Sequence, residues 1–378
     1  MFRKTRKKTS CARSRVRVHR EGDAATMVRM KIAKLVLAPL GIVAAGLLGA
    51  ACSGDEPPPA TALGPGGMPA APGATVLPDG PQTDWWDAAK TREKMKGTIQ
   101  GGKQVGDWFW YYEDGKQQKA AHFTAGLLDG PSIEWYPNGE RRIQGNWVGG
   151  KLSGLVTEFH ENGQKKSERS YVEDKAVGPA KDWHDNGKVF REGEMLADKQ
   201  EGPWVTYHKT GEKAIEGGFK DGKQEGHYVS FHPNGQKSSE GDYRAGLRTG
   251  PWKSWYPSGR LEREGSFVDD KHDGPWVHWY ENGEVMERTV FARGVPDGPW
   301  ETRSSGGLLT SSGTYKAGRR DGTWFYFKGD GTLDAQKSGV YGSDLRTGDL
   351  PADAAVPDPK AGAQQTAPPQ PPAEGQPK

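Results

Sequence analysis

Four histidines recur at intervals of 24 residues, and they are the side chains in this sequence most able to do chemistry: His160, His184, His208 and His232. Imidazole is the commonest metal ligand in proteins and titrates near neutral pH. If 24 residues correspond to two strands of a sheet, neighbouring rings stand about 10 Å apart. Each zinc ligand must lie within about 2.1 Å of the ion, so this spacing excludes a shared zinc site. Tyrosine takes the same place in other units, which favours a packing role for an amphipathic ring, and we predict no metal site.

Five glutamates follow the same interval: Glu168, Glu192, Glu216, Glu240 and Glu264. Their expected separation of about 10 Å suits a solvated face and is too large for the close carboxylate pair of a retaining glycosidase, at about 5–5.5 Å. The sequence contains no GxSxG, HExxH or Walker motif, and its only cysteines are Cys11 and Cys52. We therefore predict that the protein is not an enzyme, with no catalytic residue and no cofactor.

The elements that carry these side chains repeat with a period of 24 residues. One series of glycines opens the units: Gly106, Gly130, Gly154, Gly178, Gly202, Gly226, Gly250, Gly274, Gly298 and Gly322. A second series lies nine residues further on: Gly115, Gly139, Gly163, Gly187, Gly211, Gly235, Gly259, Gly283, Gly307 and Gly331. A regular period of this length is typical of an array of equivalent structural units.

Each unit reads as two β-strands and two turns, without a capped helical segment. The central turn is often Asn-Gly, as at Asn234-Gly235, and both residues tolerate a positive φ, which predicts a two-residue hairpin turn. The second turn is rich in glycine and aspartate, as at Asp221-Gly222. We predict an all-β fold, an elongated antiparallel β-hairpin repeat array of about ten 24-residue units.

A two-residue central turn fixes which residues lie opposite each other, if the opening glycine of each unit is counted as position 0. Position 2, usually Trp, then faces position 15, usually Gly, and the aromatic residue at position 17 faces the opening glycine. We expect each ring to cover the glycine across its own hairpin, a device that offsets the weakness of glycine in strands.

A second aromatic series at position 5 has the opposite parity and is expected on the other face of the sheet. Aromatic side chains on a sheet surface are frequent hot spots of protein interfaces. The predicted binding surface therefore combines both series: Trp204, Trp252, Trp255, Tyr256, Trp276, Trp279 and Tyr280.

The net charge of +3 conceals two regions of opposite sign. Residues 1–34 carry twelve Lys or Arg and two acidic residues, which leaves 40 basic and 47 acidic residues, a net charge of −7, for the rest of the chain. Nucleic-acid binding requires clustered Lys and Arg, so we predict no nucleic-acid partner. The basic head is followed by seventeen uncharged residues, 35–51, and then Cys52, an order typical of an export signal.

The segment MKIAKLVLAPLGIVAAGLLGAAC from Met30 resembles a bacterial lipoprotein signal peptide, which implies that Cys52 becomes lipidated and N-terminal after cleavage. The true start is expected at Met1, Met27 or Met30. An uncleaved membrane anchor is the alternative, although seventeen residues fall short of the roughly 20 that span a bilayer. Ser53 lacks the Asp that marks inner-membrane retention in some bacteria. We predict an exported, lipid-anchored protein, with the outer membrane preferred.

These patterns divide the chain into five segments. Residues 1–51 form the basic leader and signal peptide, and residues 52–84 the lipidated Cys and a Pro/Gly-rich tether. Residues 85–105 are predicted to be an N-terminal cap and half-repeat, with Trp85 and Trp86 packed over the first edge. Ten repeats occupy residues 106–345, and residues 346–378 are predicted to be a disordered Pro-rich tail. The unit at Gly298 is the least regular, with Arg303 in place of an aromatic residue, and is expected to show a kink or slack.

The pattern GPWxxWYPNG, followed by GxF and a glycine turn, resembles the bacterial variant of the MORN repeat over residues 94 to about 345. The resemblance implies a β-hairpin array used as an interaction surface, and the antitoxin label common among such proteins implies a protein partner. We predict a non-enzymatic, membrane-tethered scaffold that presents an aromatic β-surface to an envelope protein. Glycan or quaternary-ammonium binding through Trp/Tyr clusters is the alternative, and a structural spacer is a third possibility.

Overall fold

A computed structural model describes residues 78–362 of the chain. These residues form 24 β-strands and contain no helix. The prediction of an all-β hairpin array is confirmed. The basic leader, Cys52, most of the proline-rich tether and residues 363–378 lie outside the described residues.

The first twelve strands are β1 (Gly80–Trp85), β2 (Glu93–Gln100), β3 (Lys103–Tyr111), β4 (Gln117–Thr124), β5 (Leu127–Trp135), β6 (Arg141–Val148), β7 (Lys151–Leu152), β8 (Gly154–Phe159), β9 (Lys165–Val172), β10 (Lys175–Trp183), β11 (Val189–Leu196) and β12 (Lys199–Tyr207). The remaining twelve are β13 (Lys213–Lys220), β14 (Lys223–Phe231), β15 (Lys237–Arg244), β16 (Leu247–Trp255), β17 (Leu261–Val268), β18 (Lys271–Trp279), β19 (Val285–Ala292), β20 (Val295–Arg303), β21 (Leu309–Lys316), β22 (Arg319–Tyr326), β23 (Gly339–Gly342) and β24 (Leu345–Gly348).

Each strand pairs antiparallel with its neighbours in the sequence, so the sheet is a continuous meander. Strands β7 and β8 are two parts of one strand, and both pair with β6. Because the hydrogen-bonded pairing joins only adjacent strands of the sheet, stability is expected to arise mainly from interactions between neighbouring units, as in other repeat arrays.

The two-residue turn lies between units and not at their centres. In the turn after β13, Lys220 pairs with Lys223, and the intervening Asp221 and Gly222 have φ values of 52° and 78°. Two successive residues with positive φ define a type I′ turn, whose twist matches that of the flanking strands.

The prediction of a two-residue turn at the centre of each unit is wrong. In the unit that opens at Gly202, the N–H of Gly211 donates to the carbonyl of His208, and the register shifts by one residue at Tyr207. Only the glycine of the Asn-Gly pairs has positive φ. The asparagine has another role, since Asn234 Oδ1 accepts the N–H of Gln236 and its Nδ2 donates to the carbonyl of Pro257 in the next unit.

The predicted register is nevertheless confirmed, because the shift at the central turn restores it. Trp204 lies opposite Gly217, and Gly202 lies opposite Phe219. The same pairing holds in later hairpins, for example Trp252 with Gly265.

The prediction that each ring covers the glycine opposite it in its own hairpin is wrong. Between β11 and β12, three residues, Gly202 to Trp204, face the single residue Gly193. This bulge carries Trp204 over Gly193, where a Cβ would come within 2.6 Å of the indole Cγ. A Cβ on Gly202 would contact nothing. The opening glycine is needed for its φ of 66° in the bulge, and the glycine of the preceding strand is needed to admit the ring.

Both faces of the sheet carry a buried aromatic cluster, as predicted from the two parities. The first face carries Tyr228, Trp252, Phe267 and Trp276. The second face carries Trp255, Leu261, Trp279 and Val285. The names first face and second face are used below for the sides defined by these clusters.

The described array extends beyond both predicted boundaries. Residues 80–84, assigned to the tether, belong with Trp85 to β1, which pairs with β2. Trp86 lies at this first edge and its indole N–H donates to the carbonyl of Tyr111. At the other end, residues 346–348 belong to β24, and the N–H of Leu309 donates to the carbonyl of Pro359. The prediction of a disordered tail from residue 346 is therefore wrong as far as residue 362.

Candidate interaction surface

On the first face, large aromatic rings occur where the preceding strand carries a glycine. Rings lie over the glycine of the preceding strand in six pairs: Trp108 on Gly97, Trp204 on Gly193, Tyr228 on Gly217, Trp252 on Gly241, Trp276 on Gly265 and Trp324 on Gly313. Where position 15 carries a side chain, position 2 is usually small, as in the pairs Arg169 with Ala180 and Ala121 with Ser132. The two positions thus share one volume, as dense packing requires.

The unit at Gly298 breaks this rule. Thr289 occupies the glycine position and pairs with Trp300, which is only half-buried. The hydroxyl of Thr289 is buried without a hydrogen-bond partner. Strand pairing nevertheless continues from β19 through β21, so the irregularity of this unit is a loss of packing.

The tryptophans of the predicted binding surface are buried. Trp204, Trp252, Trp255, Trp276 and Trp279 expose only 3–8% of their surface. Several indole N–H groups are also occupied, as in Trp276, which donates to the carbonyl of Ser266 at 3.0 Å. These rings form the interior of the array, and their faces are not open to a sugar, a quaternary ammonium group or a protein.

Tyr256 and Tyr280, the other two predicted surface residues, belong to a ladder along the central turns. In eight successive units, from the one that opens at Gly106 to the one that opens at Gly274, a Tyr hydroxyl or His Nε2 donates to the backbone carbonyl 23 residues later. The eight rungs run from Tyr112 to Trp135, Tyr136 to Phe159, His160 to Trp183, His184 to Tyr207, His208 to Phe231, His232 to Trp255, Tyr256 to Trp279 and Tyr280 to Arg303. Both residue types place a donor at the far end of a flat ring, which explains why they alternate here.

Substitution of His208 tests the ladder. We expect His208→Phe to lower the free energy of unfolding by about 1 kcal/mol, because the carbonyl of Phe231 loses its donor. His208→Tyr should stay close to wild type, since tyrosine makes the same bond elsewhere in the array. Urea unfolding followed by circular dichroism measures both. Equal destabilisation by Phe and Tyr would show that the bond contributes nothing.

The five glutamates that recur every 24 residues, from Glu168 to Glu264, form ion pairs on the second face. Lys181 contacts Glu192, and Lys253 contacts Glu264 at 3.4 Å. Glu240 approaches both Lys237 and His227. Exposed pairs of this kind contribute little stability. They cover the second face with neutralised charge, and no group of three or more potential metal ligands occurs in the described range 78–362.

A polar column crosses the first face beside the rings. At one point Asp182 accepts hydrogen bonds from Arg169 at 2.7 and 3.0 Å and from Arg191 at 2.6 Å. Further along, His278 lies opposite Glu287. Burial raises the pKa of Glu287 to about 7 and lowers the pKa of His278.

The raised pKa of Glu287 predicts that ionisation of this carboxyl group lowers the stability of the folded protein as the pH rises. Its ordinary pKa is 4.5, so between about pH 4.5 and 7 the folded state binds the proton more tightly than the unfolded state. This contribution to stability is present at low pH and is lost as the pH rises through 7. We therefore expect Glu287→Gln to be more stable than wild type at pH 8, with the difference shrinking toward pH 5. Parallel stability profiles of the two proteins would contradict this assignment.

Exposed aliphatic side chains form a row beside the type I′ turns. Val148, Val172 and Leu196 occupy position 18 in three successive units and expose 58%, 59% and 59% of their surface. Strand spacing places them about 10 Å apart. In three other units this position is charged, at Lys220, Arg244 and Lys316, and in the remaining units it is Thr124, Val268, Ala292 and Val340. We call Val148, Val172 and Leu196 the aliphatic row.

The described fold is that of an antiparallel β-hairpin repeat protein. Four of its units match the MORN repeat variant family, at residues 104–124, 152–173, 224–245 and 248–269. The resemblance stated from the sequence is confirmed at these four units. No curated protein matches the chain.

Among solved structures, the chain is similar to a crystal structure of TcdB2-TccC3, with 9% identity, coverage of 70% of this chain and 17% of that chain, and a TM-score of 0.17. A structure of the Photorhabdus luminescens Tc holotoxin pore with a mutation in TccC3 gives 11% identity, coverage of 71% and 16%, and a TM-score of 0.16. The chain spans about a sixth of the length of these structures.

The described residues include no helix that is long and apolar enough to cross a bilayer. Cys52, the predicted lipidation site, lies outside the range that the structure describes.

Proposed function

We propose that the protein is a non-enzymatic, membrane-tethered scaffold that binds a partner protein at the bacterial cell envelope. Matches to the MORN repeat variant and the β-repeat fold support the scaffold role. The observation that carries the proposal is the aliphatic row, Val148, Val172 and Leu196, which is exposed on three successive units. Lys151, Lys175 and Lys199 pair opposite the three members of the row, and exposed apolar side chains rimmed by polar residues mark interaction sites.

The aliphatic row fits a protein better than a small ligand. Its members are about 10 Å apart and lie on a sheet, so no single small molecule reaches all three. The buried tryptophans give the glycan and quaternary-ammonium alternative no open ring. A partner that presents an apolar strip of matching length would cover the row, while the rigid strands hold its members at fixed spacing.

The tether is the part of the proposal that rests on sequence alone. A lipid on Cys52 and the proline-rich segment after it would hold the array near a membrane, since buried acyl chains contribute about 0.8 kcal/mol per CH₂. Metabolic lipid labelling of wild type and Cys52→Ala tests the tether. A wild-type chain that stays soluble and unlabelled would exclude it without affecting the scaffold role.

Photo-crosslinking in intact cells tests the scaffold role. A photoreactive residue in place of Thr124, at position 18 of the first unit, should yield one dominant crosslinked protein. The triple variant Val148→Ser, Val172→Ser, Leu196→Ser should lose that product, because the row no longer offers apolar surface. The matched control changes the same position in three other units, as Lys220→Ser, Arg244→Ser, Lys316→Ser, and should keep it. All six side chains are exposed, so neither variant is expected to unfold.

Two results would contradict the scaffold proposal. If the two triple variants lose the crosslinked protein equally, the aliphatic row has no special role. If the wild type gives only scattered products of low yield, the array has no dominant partner and acts as a spacer.

A further inference from the structure

A groove of about 490 Å³ crosses the second face near the C-terminal end of the array. It extends over four strand spacings, from β18 to β22, and its lining includes Val277, Arg288, Glu301, Ser312, Thr323 and Phe325. Register pairs Val277 with Arg288 and Glu301 with Ser312, which places these side chains on one face. The groove is a different feature from the aliphatic row, and the inference below is independent of the proposed function.

The described part of the chain ends beside this groove. After β24 the chain returns over the second face, where the N–H of Leu309 donates to the carbonyl of Pro359 at 2.9 Å. Gly362 then reaches Arg303, where a Cβ on the glycine would lie 3.2 Å from Nη2. Arg303 follows Glu301 by two residues in β20, and Glu301 lines the groove. The next residues of the chain therefore start within reach of the groove.

Arg303 leaves part of its hydrogen-bonding capacity unused at this point. It exposes 7% of its surface and donates from Nη1 to the carbonyl of Gly307. Its Nε is buried without a hydrogen bond and lies 3.5 Å from a carboxylate oxygen of Glu301. A buried donor without an acceptor is costly, so an additional acceptor at this end of the groove would be stabilising.

Residues 363–378, AQQTAPPQPPAEGQPK, follow Gly362 and contain Pro368, Pro369, Pro371 and Pro372 within five residues. Such a sequence favours the polyproline II conformation, at about 3.1 Å per residue. Proline segments of this kind bind grooves with aromatic walls at little entropic cost, and Phe325 supplies an aromatic wall. The six residues from 363 to 368 span about 19 Å when extended in this way. Gly362 contacts Arg303 in β20, and Phe325 lies in β22, two strand spacings of about 4.8 Å away, so the prolines can reach Phe325.

We propose that residues 363–378 of the same chain occupy this groove and bring the Pro368–Pro372 segment against Phe325. The occupant is favoured by where the described chain ends, by the contacts of Pro359 and Gly362 on the same face, and by the reach of the segment, which is sufficient to bring its prolines from Arg303 to Phe325.

Hydrogen exchange of the full chain and of a chain ending at Gly362 tests this assignment. Removal of residues 363–378 should raise amide exchange in β18–β22 about threefold or more and leave β12–β16 unchanged. A peptide of residues 363–378, added to the shortened chain, should restore protection. The same peptide with Pro368, Pro369, Pro371 and Pro372 changed to alanine should not. Unchanged exchange on shortening would overturn the proposal.

A substitution in the groove separates occupancy from a general effect of the tail. Thr314 is exposed and lines the groove, so Thr314→Arg should obstruct it and reproduce the faster exchange in the full chain. Ser266→Arg lies at the same position two units earlier, outside the groove, and should leave exchange in β18–β22 unchanged. Equal effects of the two substitutions would overturn the assignment of the groove. If protection of the full chain depends on protein concentration, the occupant is the tail of a second copy and the intramolecular proposal is wrong.

Discussion

Trp276→Ala is expected to lower the free energy of unfolding by about 3–5 kcal/mol, which is the usual cost of removing a large buried aromatic side chain. Trp276 exposes 3% of its surface and lies on Gly265. Its ring meets Phe267 edge-to-face at 5.0 Å and His272 at 4.2 Å. Without the indole, no side chain of Gly265 can fill the space, so the cavity cannot collapse locally.

Trp300→Ala is the matched control, because Trp300 holds the same position in the next unit but is half-buried beside Thr289. We expect a smaller loss, about 1–2 kcal/mol, since less apolar surface is removed from a buried site. Urea unfolding of the three proteins, followed by circular dichroism, gives the comparison. If the two alanine variants are equally stable, the glycine beneath the ring adds nothing to its anchoring.

The destabilisation caused by Trp276→Ala should also extend to the neighbouring strands. Each strand pairs only with its two neighbours, and Trp276 and Trp252 belong to one cluster with Phe267 between them. In an array of this kind, a weak interface can divide the chain into independently unfolding parts. Hydrogen exchange should therefore rise most in β17–β19 and remain lower in β3–β6.

The sequence was sufficient to predict the period, the strand pairing and the two aromatic faces. Glycines at fixed offsets define the unit, and the parity of Trp252 and Trp255 separates the faces. The glycine that each ring covers could not be predicted in this way, because it depends on a β-bulge in which three residues of one strand face a single residue of the other. Nothing in a single unit shows that Trp204 is carried over the glycine of the preceding strand.

The predicted binding surface shows the limit of arguing from aromatic residues alone. Large aromatic side chains are common both in interfaces and in protein interiors, and periodicity does not distinguish the two when each unit repeats the same core. A better signal was the position beside the type I′ turns, where Val148 and Val172 are aliphatic and Lys220 is charged. A position that is apolar in some units and charged in others is not part of the buried core that the units share.

The role of the histidine column was also within reach of the sequence. Histidine and tyrosine share few properties besides a flat ring with a donor at its far end. Their exchange between His232 and Tyr256 therefore indicated a common acceptor. The acceptor itself lies in the next unit, 23 residues away, and its identity required the structure.

Gly241→Ala and Gly217→Ala are expected to differ by about 1–3 kcal/mol, the usual cost of overpacking a core, although both glycines hold position 15 and neither has positive φ. A Cβ on Gly241 would lie 2.6 Å from the indole Cγ of Trp252, so the indole ring must be displaced. At Gly217 the nearest ring atom, of Tyr228, is 3.4 Å away, which is an ordinary contact. Alanine also restricts the unfolded chain, so Gly217→Ala should be neutral or stabilising by up to about 1 kcal/mol. Midpoints of urea unfolding measure the difference, and equal midpoints would mean that these glycines are needed for the backbone alone and not to admit a ring.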